Sequence, residues 1–258
     1  MESEITINSN RRIALLIDGD NAQPSLLDVL LTEVYKFGVV PIRRIYGDWT
    51  KSNMKGWKDA LQTHAIQPIQ QFAYTKGKNA TDSALIIDAM DILADGVVEG
   101  LCIVSSDSDY TRLATRAREK GFFVMGIGMR KTPSAFVNAC ETFIHTENLG
   151  VAEPSKKPTQ PRADKAEDEK ASTAESASRT SKPLKLLLKA VQMTQQDDEW
   201  AFLGTVGAYL RQLDPGFDPR TYGESQLSSL VRKFPKHFEV REEKKRGGTT
   251  VIHVKIIG

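Results

Sequence analysis

Ile13-Ala14-Leu15-Leu16-Ile17-Asp18-Gly19-Asp20-Asn21 is a short, wholly apolar run that ends on an acidic turn, and Leu101-Cys102-Ile103-Val104-Ser105-Ser106-Asp107-Ser108-Asp109 has the same arrangement. An apolar run of this length between turn formers reads as a strand buried on both faces, which is the setting of a parallel sheet. Further strands are expected over residues 39–46, 66–73 and 123–127, with a short sixth near 142–145. Helical patterns fall between them at 24–37, where Leu27, Leu30, Leu31 and Val34 share a face, and at 54–63, 81–94, 110–120 and 133–139. Gly38 and Gly121 follow two of these helices where a left-handed cap would stop them. Alternating strands and helices imply parallel strands joined by right-handed crossovers, hence an open α/β sandwich.

In such sheets ligands collect at the carboxyl ends of the strands, in the crevice where strand order reverses. If the third crossover returns over the sheet to set strand four beside strand one, both acidic turns face that crevice. The loop Tyr74-Thr75-Lys76-Gly77-Lys78-Asn79-Ala80 opens on the same edge, and Asp82 sits in the first turn of the helix it starts. Asp18, Asp20, Asp82, Asp107 and Asp109 then converge. Each like-charge contact at ~4 Å would cost on the order of 4 kcal/mol at an effective dielectric near 20. A hard divalent cation offsets that repulsion, and carboxylate oxygens suit Mg²⁺ or Mn²⁺. A metal so held generates hydroxide and clamps a phosphate, so the chemistry implied is phosphodiester hydrolysis without a side-chain nucleophile.

A single Asp after a strand is as often only a turn former or helix cap. Three acidic sites on one sheet edge are harder to account for in that way. Asp107 and Asp109 also suit the start of the helix near Tyr110. Asp91 and Asp95 read as a solvated helix face, and Asp88 stays open between face and site. His64, His145, His237 and His253 lack ligand spacing, which argues against zinc. Lys76, Lys78, Arg130 and Lys131 border the same edge and would grip phosphates. Lys51, Lys55 and Lys58, with Trp49 and Trp57, would extend the track, although any one lysine is as well explained as solvated surface.

Leu16-Ile17-Asp18-Gly19-Asp20-Asn21, Lys76-Gly77-Lys78-Asn79-Ala80-Thr81-Asp82 and Val104-Ser105-Ser106-Asp107-Ser108-Asp109-Tyr110 together resemble the motifs of NYN-domain proteins, the PIN-like nucleases, and the limkain-type branch in particular. The similarity spans about residues 11–148. It implies a PIN-like, Rossmannoid three-layer α/β sandwich with a mainly parallel sheet. It also implies Mg²⁺- or Mn²⁺-dependent ribonuclease activity carried by acidic residues that match Asp18, Asp82, Asp107 and Asp109, as catalytic groups and metal ligands. Asp20, Asn21 and Ser105 match neighbouring positions that would shape the site, and Asp88 is kept as a secondary candidate.

The tail has its own pattern. Helices are expected at 184–191, 202–213 and 225–233, then strands at 238–240 and 251–257 around Gly247-Gly248, the order of a winged helix. Phe217-Asp218-Pro219-Arg220-Thr221-Tyr222-Gly223 before the third helix, with Phe234-Pro235 after it, is similar to the OST-HTH or LOTUS domain. That resemblance implies contacts with RNA or with a protein partner. Lys244, Lys245 and Arg246 would form a basic wing tip able to lie on phosphates, or simply a soluble turn. Residues 182–258 carry 13 basic against 9 acidic side chains.

The whole chain has 258 residues, 40% hydrophobic and 26% charged, enough for two modest domains. Residues 151–181 hold no aromatic and read as a disordered linker between a nuclease domain (1–150) and the tail domain (182–258). No run approaches the ~18 apolar residues of a membrane span, and the first residues lack a secretory pattern. Two cysteines in apolar segments suit a reducing cytoplasm. Two other functions compete: a non-cleaving RNA-binding adaptor, and a phosphatase of the haloacid-dehalogenase type, whose nucleophile and acid Asp18-Gly19-Asp20 mimics. Against the latter, Ala22 stands where that family has Thr or Val, and its late acidic pair is spaced more widely than Asp107 and Asp109. The RNA target, RNA over DNA preference and oligomeric state are open at this level.

Overall fold

The computed structural model describes residues 11–72, 80–150, 172–196, 198–244 and 250–257. The chain divides into two compact units, Met1–Gly150 and Val151–Gly258.

The first unit is built on a six-stranded sheet: β1 (Arg12–Asp18), β2 (Val39–Gly47), β3 (Gln67–Gln70), β4 (Gly100–Val104), β5 (Phe123–Gly128) and β6 (Thr142–His145). The spatial order is β3-β2-β1-β4-β5-β6 and every pairing is parallel. The reversal falls between β1 and β4, where Leu16 pairs with Ile103 and Ile17 with Val104. Alternate side chains of β1 feed two separate cores, as the two-residue period of a strand requires. Ile13, Leu15 and Ile17 pack with α1 (Leu27–Tyr35) and α2 (Lys58–His64); Ala14 and Leu16 pack with α3 (Ala80–Ala94), α4 (Thr111–Glu119) and α5 (Ser134–Ala139). Helices therefore cover both faces of the sheet, giving the three-layer sandwich expected from the sequence.

Differences are local. Strand β3 is shorter than residues 66–73, and residue 73 lies outside the described residues. Each of the first two helices opens with a 3-10 turn, Pro24–Leu26 and Ser52–Trp57. Gly121 does adopt the left-handed conformation, at φ 84°. Gly38 is required for another reason: a Cβ there would stand 2.0 Å from the carbonyl oxygen of Arg11, where the chain entering β2 presses on the chain entering β1. Trp57 is 1% exposed and belongs to the core, so it offers no face to a ligand, contrary to the expectation that it extends a binding track.

The second unit contains α6 (Ser172–Thr194), α7 (Leu203–Leu213) and α8 (Leu227–Arg232) with an antiparallel sheet of β7 (Ala201–Phe202), β8 (Phe238–Lys244) and β9 (Thr250–Ile256), ordered β7-β9-β8. Leu187, Val191, Val206, Leu210, Leu230, Val231 and Val254 form its core. Helix α6 starts inside the stretch read as linker, whose Ala, Glu and Arg content is compatible with helix; residues 151–171 lie outside the described residues. The two-residue β7 has no periodicity to betray it and was not expected. The Phe217–Gly223 motif has a structural explanation. Asp218, 8% exposed, caps a 3-10 turn by accepting from the Arg220 amide at 2.8 Å, and its carboxylate also takes two donors of the Arg220 guanidinium. No helix among the described residues is long and apolar enough to cross a membrane.

Candidate active site

The acidic residues are delivered by strand ends and helix starts. Asp18 is the last residue of β1, and the Gly19 amide then donates to the Tyr46 carbonyl at 2.9 Å, turning the chain across the end of β2. Asp18 is 1% exposed. Its Oδ2 accepts from Ser105 Oγ at 2.8 Å and Asn21 Nδ2 at 2.7 Å, and its Oδ1 from the Asp20 amide at 3.2 Å. Ser105, the first residue after β4, also accepts from the Asp107 amide at 3.1 Å. One hydroxyl thus ties together the two acidic turns at the reversal of strand order.

Asp107 caps the 3-10 turn Ser108–Tyr110, its Oδ1 accepting from the Asp109 amide at 2.9 Å. Tyr110 is fully buried, and its hydroxyl donates to Asp82 Oδ1 at 2.7 Å. Asp82, Asp107 and Asp109 each contribute a carboxylate oxygen to a group in which all three lie within 4.8 Å of one another. Burial pushes the Asp18 carboxyl above its ordinary value, with the Asp82 charge adding to it and Ser105, Asn21 and the Asp20 amide opposing it. Asp82 is raised as well, first by burial and then by the charges of Asp107, Asp109 and Asp20, against the Tyr110 hydrogen bond.

Fully ionised, each pair in the cluster repels by on the order of 3 kcal/mol at an effective dielectric near 20, less at exposed Asp109 where water screens it. An all-oxygen donor set of three clustered carboxylates, with room for solvent on the Asp109 side, fits a hard divalent cation of the Mg²⁺ or Mn²⁺ type. Asp20 is exposed at the rim, its charge felt at Asp82.

Asp88 does not join the group. It stands six residues past Asp82, about 9 Å along the helix, and is bonded to Arg44 Nη1 at 2.5 Å and to the Tyr46 hydroxyl. Arg130 and Lys131 follow β5 on the same edge as the acidic turns, the Met129 amide donating to Ser106 Oγ at 2.8 Å. Both are exposed, and the Arg130 guanidinium donates to Asn148 Oδ1 at 3.1 Å. Lys244 is exposed at the end of β8 in the second unit; Lys76, Lys78, Lys245 and Arg246 lie outside the described residues. Sequence pattern alone does not bring Tyr110 into the site. Its signal was available, an aromatic residue directly after the acidic pair, but its partner lies 28 residues earlier in the chain.

A doubly wound sheet with clustered carboxylates at the reversal of strand order defines a PIN-like, nuclease-type α/β domain. The chain belongs to the NYN-domain family, whose model matches residues 12–147; an OST-HTH/LOTUS domain matches residues 175–249. No functionally curated protein matches. Among solved structures, a protein of unknown function from Vibrio parahaemolyticus is 18% identical, with 55% of this chain and 94% of that one covered and a TM-score of 0.45. An uncharacterized protein from Nitrosomonas europaea is 31% identical over 42% of this chain and 92% of its own, with a TM-score of 0.26. MurG of Acinetobacter baumannii is 13% identical over 63% and 47%, with a TM-score of 0.35. At these TM-scores the likenesses say nothing about the site.

Proposed function

We propose that the chain is a divalent-metal-dependent endoribonuclease that hydrolyses RNA phosphodiester bonds, with its LOTUS unit recruiting RNA. The observation that carries this reading is the gathering of Asp82, Asp107 and Asp109 at the sheet's point of reversal, beside buried Asp18. Asp82, Asp107 and Asp109 would hold Mg²⁺ or Mn²⁺, with Asp18 outside that group of three. Such an ion, when bound, supplies a hydroxide nucleophile near neutral pH and neutralises charge on the phosphate.

The chain's own groups do the rest. Ser105 and Asn21 fix Asp18 Oδ2, so the raised Asp18 carboxyl is rigidly set to receive a proton from the attacking water. Tyr110 orients Asp82 through its hydroxyl, acting as a positioning residue. Arg130 and Lys131 would meet flanking phosphates on the same edge, and the sequence adds Lys76 and Lys78 as further candidates. Lys244, Lys245 and Arg246 would bring a second RNA contact in the other unit. Two free buried thiols suit a reducing cytoplasm. The phosphatase alternative is disfavoured because Ala22 stands where that family has Thr or Val.

The test is cleavage of labelled RNA and matched DNA by the full chain with Mn²⁺, Mg²⁺ or EDTA, compared with Asp107→Asn. Metal-dependent cleavage of RNA that the variant loses supports the reading. RNA binding with no cleavage by either protein overturns it in favour of a non-cleaving adaptor.

A further inference from the structure

We propose that the groove along α2 seats an amphipathic, acidic helix of a partner protein. The groove has a volume of about 610 Å³. One wall is formed by Lys58, Leu61 and Gln62 of α2 with its cap Ala65, spaced i, i+3, i+4 and i+7 and so on one face. The floor is apolar, since Met54, Leu61 and Ile66 belong to the core between the sheet and α2. Met54 is unbranched and adapts to whatever side chain enters, while Trp49 is fixed by its Nε1 donating to the Ile69 carbonyl at 3.0 Å. Helix α2 packs in the layer of α1, whereas Asp82, Asp107 and Asp109 stand at the starts of α3 and α4, which cover the other face of the sheet. The groove therefore has a role independent of the ribonuclease reading.

Charge selects the flanks of the occupant. Among the described residues the charged members of the lining are Lys55 and Lys58, and Lys51 precedes the 3-10 turn that carries Met54 and Lys55. All three lysines are exposed, and none has an ion-pair partner among the described residues. An aliphatic floor with an unpaired cationic rim is complementary to apolar anchors flanked by Glu or Asp. A nucleic acid would engage the lysines through its phosphates and leave the floor of Leu61 and Ile66 without a counterpart.

The backbone selects a helix over a strand. Strand β3 is the outermost of the sheet, and the Gln71 amide donates to the Gly47 carbonyl of β2 at 3.0 Å. By the alternation of a strand, Gln67 and Ile69 also turn their amides toward β2, and position 68 faces the free edge. Pro68 has no N–H to offer there, so an added strand would meet an edge with its donor missing. A helix satisfies its own backbone and binds through side chains alone. Helix α2 has 7 residues, about 10 Å of length, which matches two turns of a partner helix lying alongside and two or three apolar anchors in the groove.

The experiment pans the full chain against displayed short helical peptides, randomised at i, i+3, i+4 and i+7, in two libraries whose remaining positions carry either Glu or Lys. Enrichment of the Glu library, with aliphatic or aromatic residues at the randomised positions, is expected. The selected peptide, synthesised with a benzophenone beside one anchor and irradiated, should form adducts with the segment from Trp49 to Pro68, mapped by mass spectrometry. By fluorescence anisotropy, Lys55→Glu combined with Lys58→Glu, both exposed, should weaken its binding roughly 10-fold or more at an unchanged melting temperature. Replacing one apolar anchor of the peptide by Ala should cost roughly 10- to 100-fold. Enrichment of the Lys library, no enrichment beyond that on the lysine variant, or adducts confined to other segments would overturn the proposal. It is overturned equally if sedimentation shows self-association that the lysine variant abolishes, which gives the groove to a second copy, or if a short RNA shields Lys55 and Lys58 from acetylation, which gives it to nucleic acid.

Discussion

The hydroxyl of Tyr110 donates to Asp82 Oδ1 at 2.7 Å, so the residue that ends the Asp107–Asp109 turn also sets the carboxylate that opens α3. The two elements that carry the clustered carboxylates, α3 and the 3-10 turn, are thereby tied to each other. Tyr110→Phe keeps the buried ring and removes only this donor. A hydrogen bond to a charged group contributes about 1.5–3 kcal/mol. The variant should lose roughly 10- to 100-fold in kcat at fixed metal concentration, with KM for RNA little changed, in a steady-state cleavage assay. An unchanged kcat would show that Asp82 needs no such support.

Both Asp18 and Asp82 have carboxyls raised above the ordinary value of 3.8, burial being the first cause in each. The sign follows from linkage: a raised folded-state value contributes stability that is present below the unfolded value and lost as pH rises through the folded one. Without divalent ion, the melting temperature should therefore fall from about pH 4 upward, through the raised values. Adding Mg²⁺ or Mn²⁺ should restore it, more strongly at neutral than at acid pH, because binding to the folded state alone stabilises by mass action. Calorimetric melts across pH with and without ion, repeated on Asp107→Asn, check this; a metal effect of equal size in the variant would contradict the cluster as its seat.

What the sequence made legible here was whatever depends on short apolar runs and their ends. Asp18 and the Ser105–Asp109 turn follow strands buried on both faces, and strand ends at the reversal of order are where such sheets gather ligands. Asp82 was found because a helix start could be read from its pattern. What escaped depends on register between distant segments. The partner of Asp88 is set by β2 lying beneath α3, some 44 residues away in sequence, and nothing local distinguishes a paired aspartate from a ligand. Trp57 reads as one more aromatic in a basic stretch until the tertiary packing buries it. The role of Gly38 is likewise non-local, being set by the chain entering the neighbouring strand.

Asp88 bonds Arg44 and Tyr46, and Arg44 Nε is buried without a hydrogen-bond partner among the described residues. Removing the charge at Asp88 would leave the guanidinium less satisfied still. Asp88→Asn should therefore destabilise the fold by about 1–3 kcal/mol while leaving metal affinity within twofold of the parent. Denaturant melts and titration calorimetry separate the two effects. A loss of metal binding with intact stability would return Asp88 to the site.

At Gly38 the obstruction is backbone, the Arg11 carbonyl oxygen, so a methyl group cannot be absorbed by a rotamer change. Gly38→Ala should destabilise by about 1–3 kcal/mol, the usual range for overpacking, by forcing β1 and β2 apart at their amino ends. Because the acidic turns lie at the opposite, carboxyl ends, kcat well below the melting transition should stay near the parental value. Chemical denaturation paired with cleavage assays checks both parts.

Ser105 Oγ is the single atom that joins Asp18 to the Asp107 turn, donating to one and accepting from the other. Its hydrogen bond is among the contacts that hold the Asp18 carboxyl down against burial. In Ser105→Ala that restraint is gone, so the Asp18 value rises further, and the pH range over which Asp18 becomes ionised moves upward. If ionised Asp18 is what receives the proton, the ascending limb of kcat/KM against pH must move to higher pH in the variant. Conversely, a limb that stays in place while the rate merely drops would mean that Ser105 acts only by shaping the Asp107 turn. The pH profile measured with Mn²⁺ therefore distinguishes a proton acceptor at Asp18 from a purely electrostatic wall.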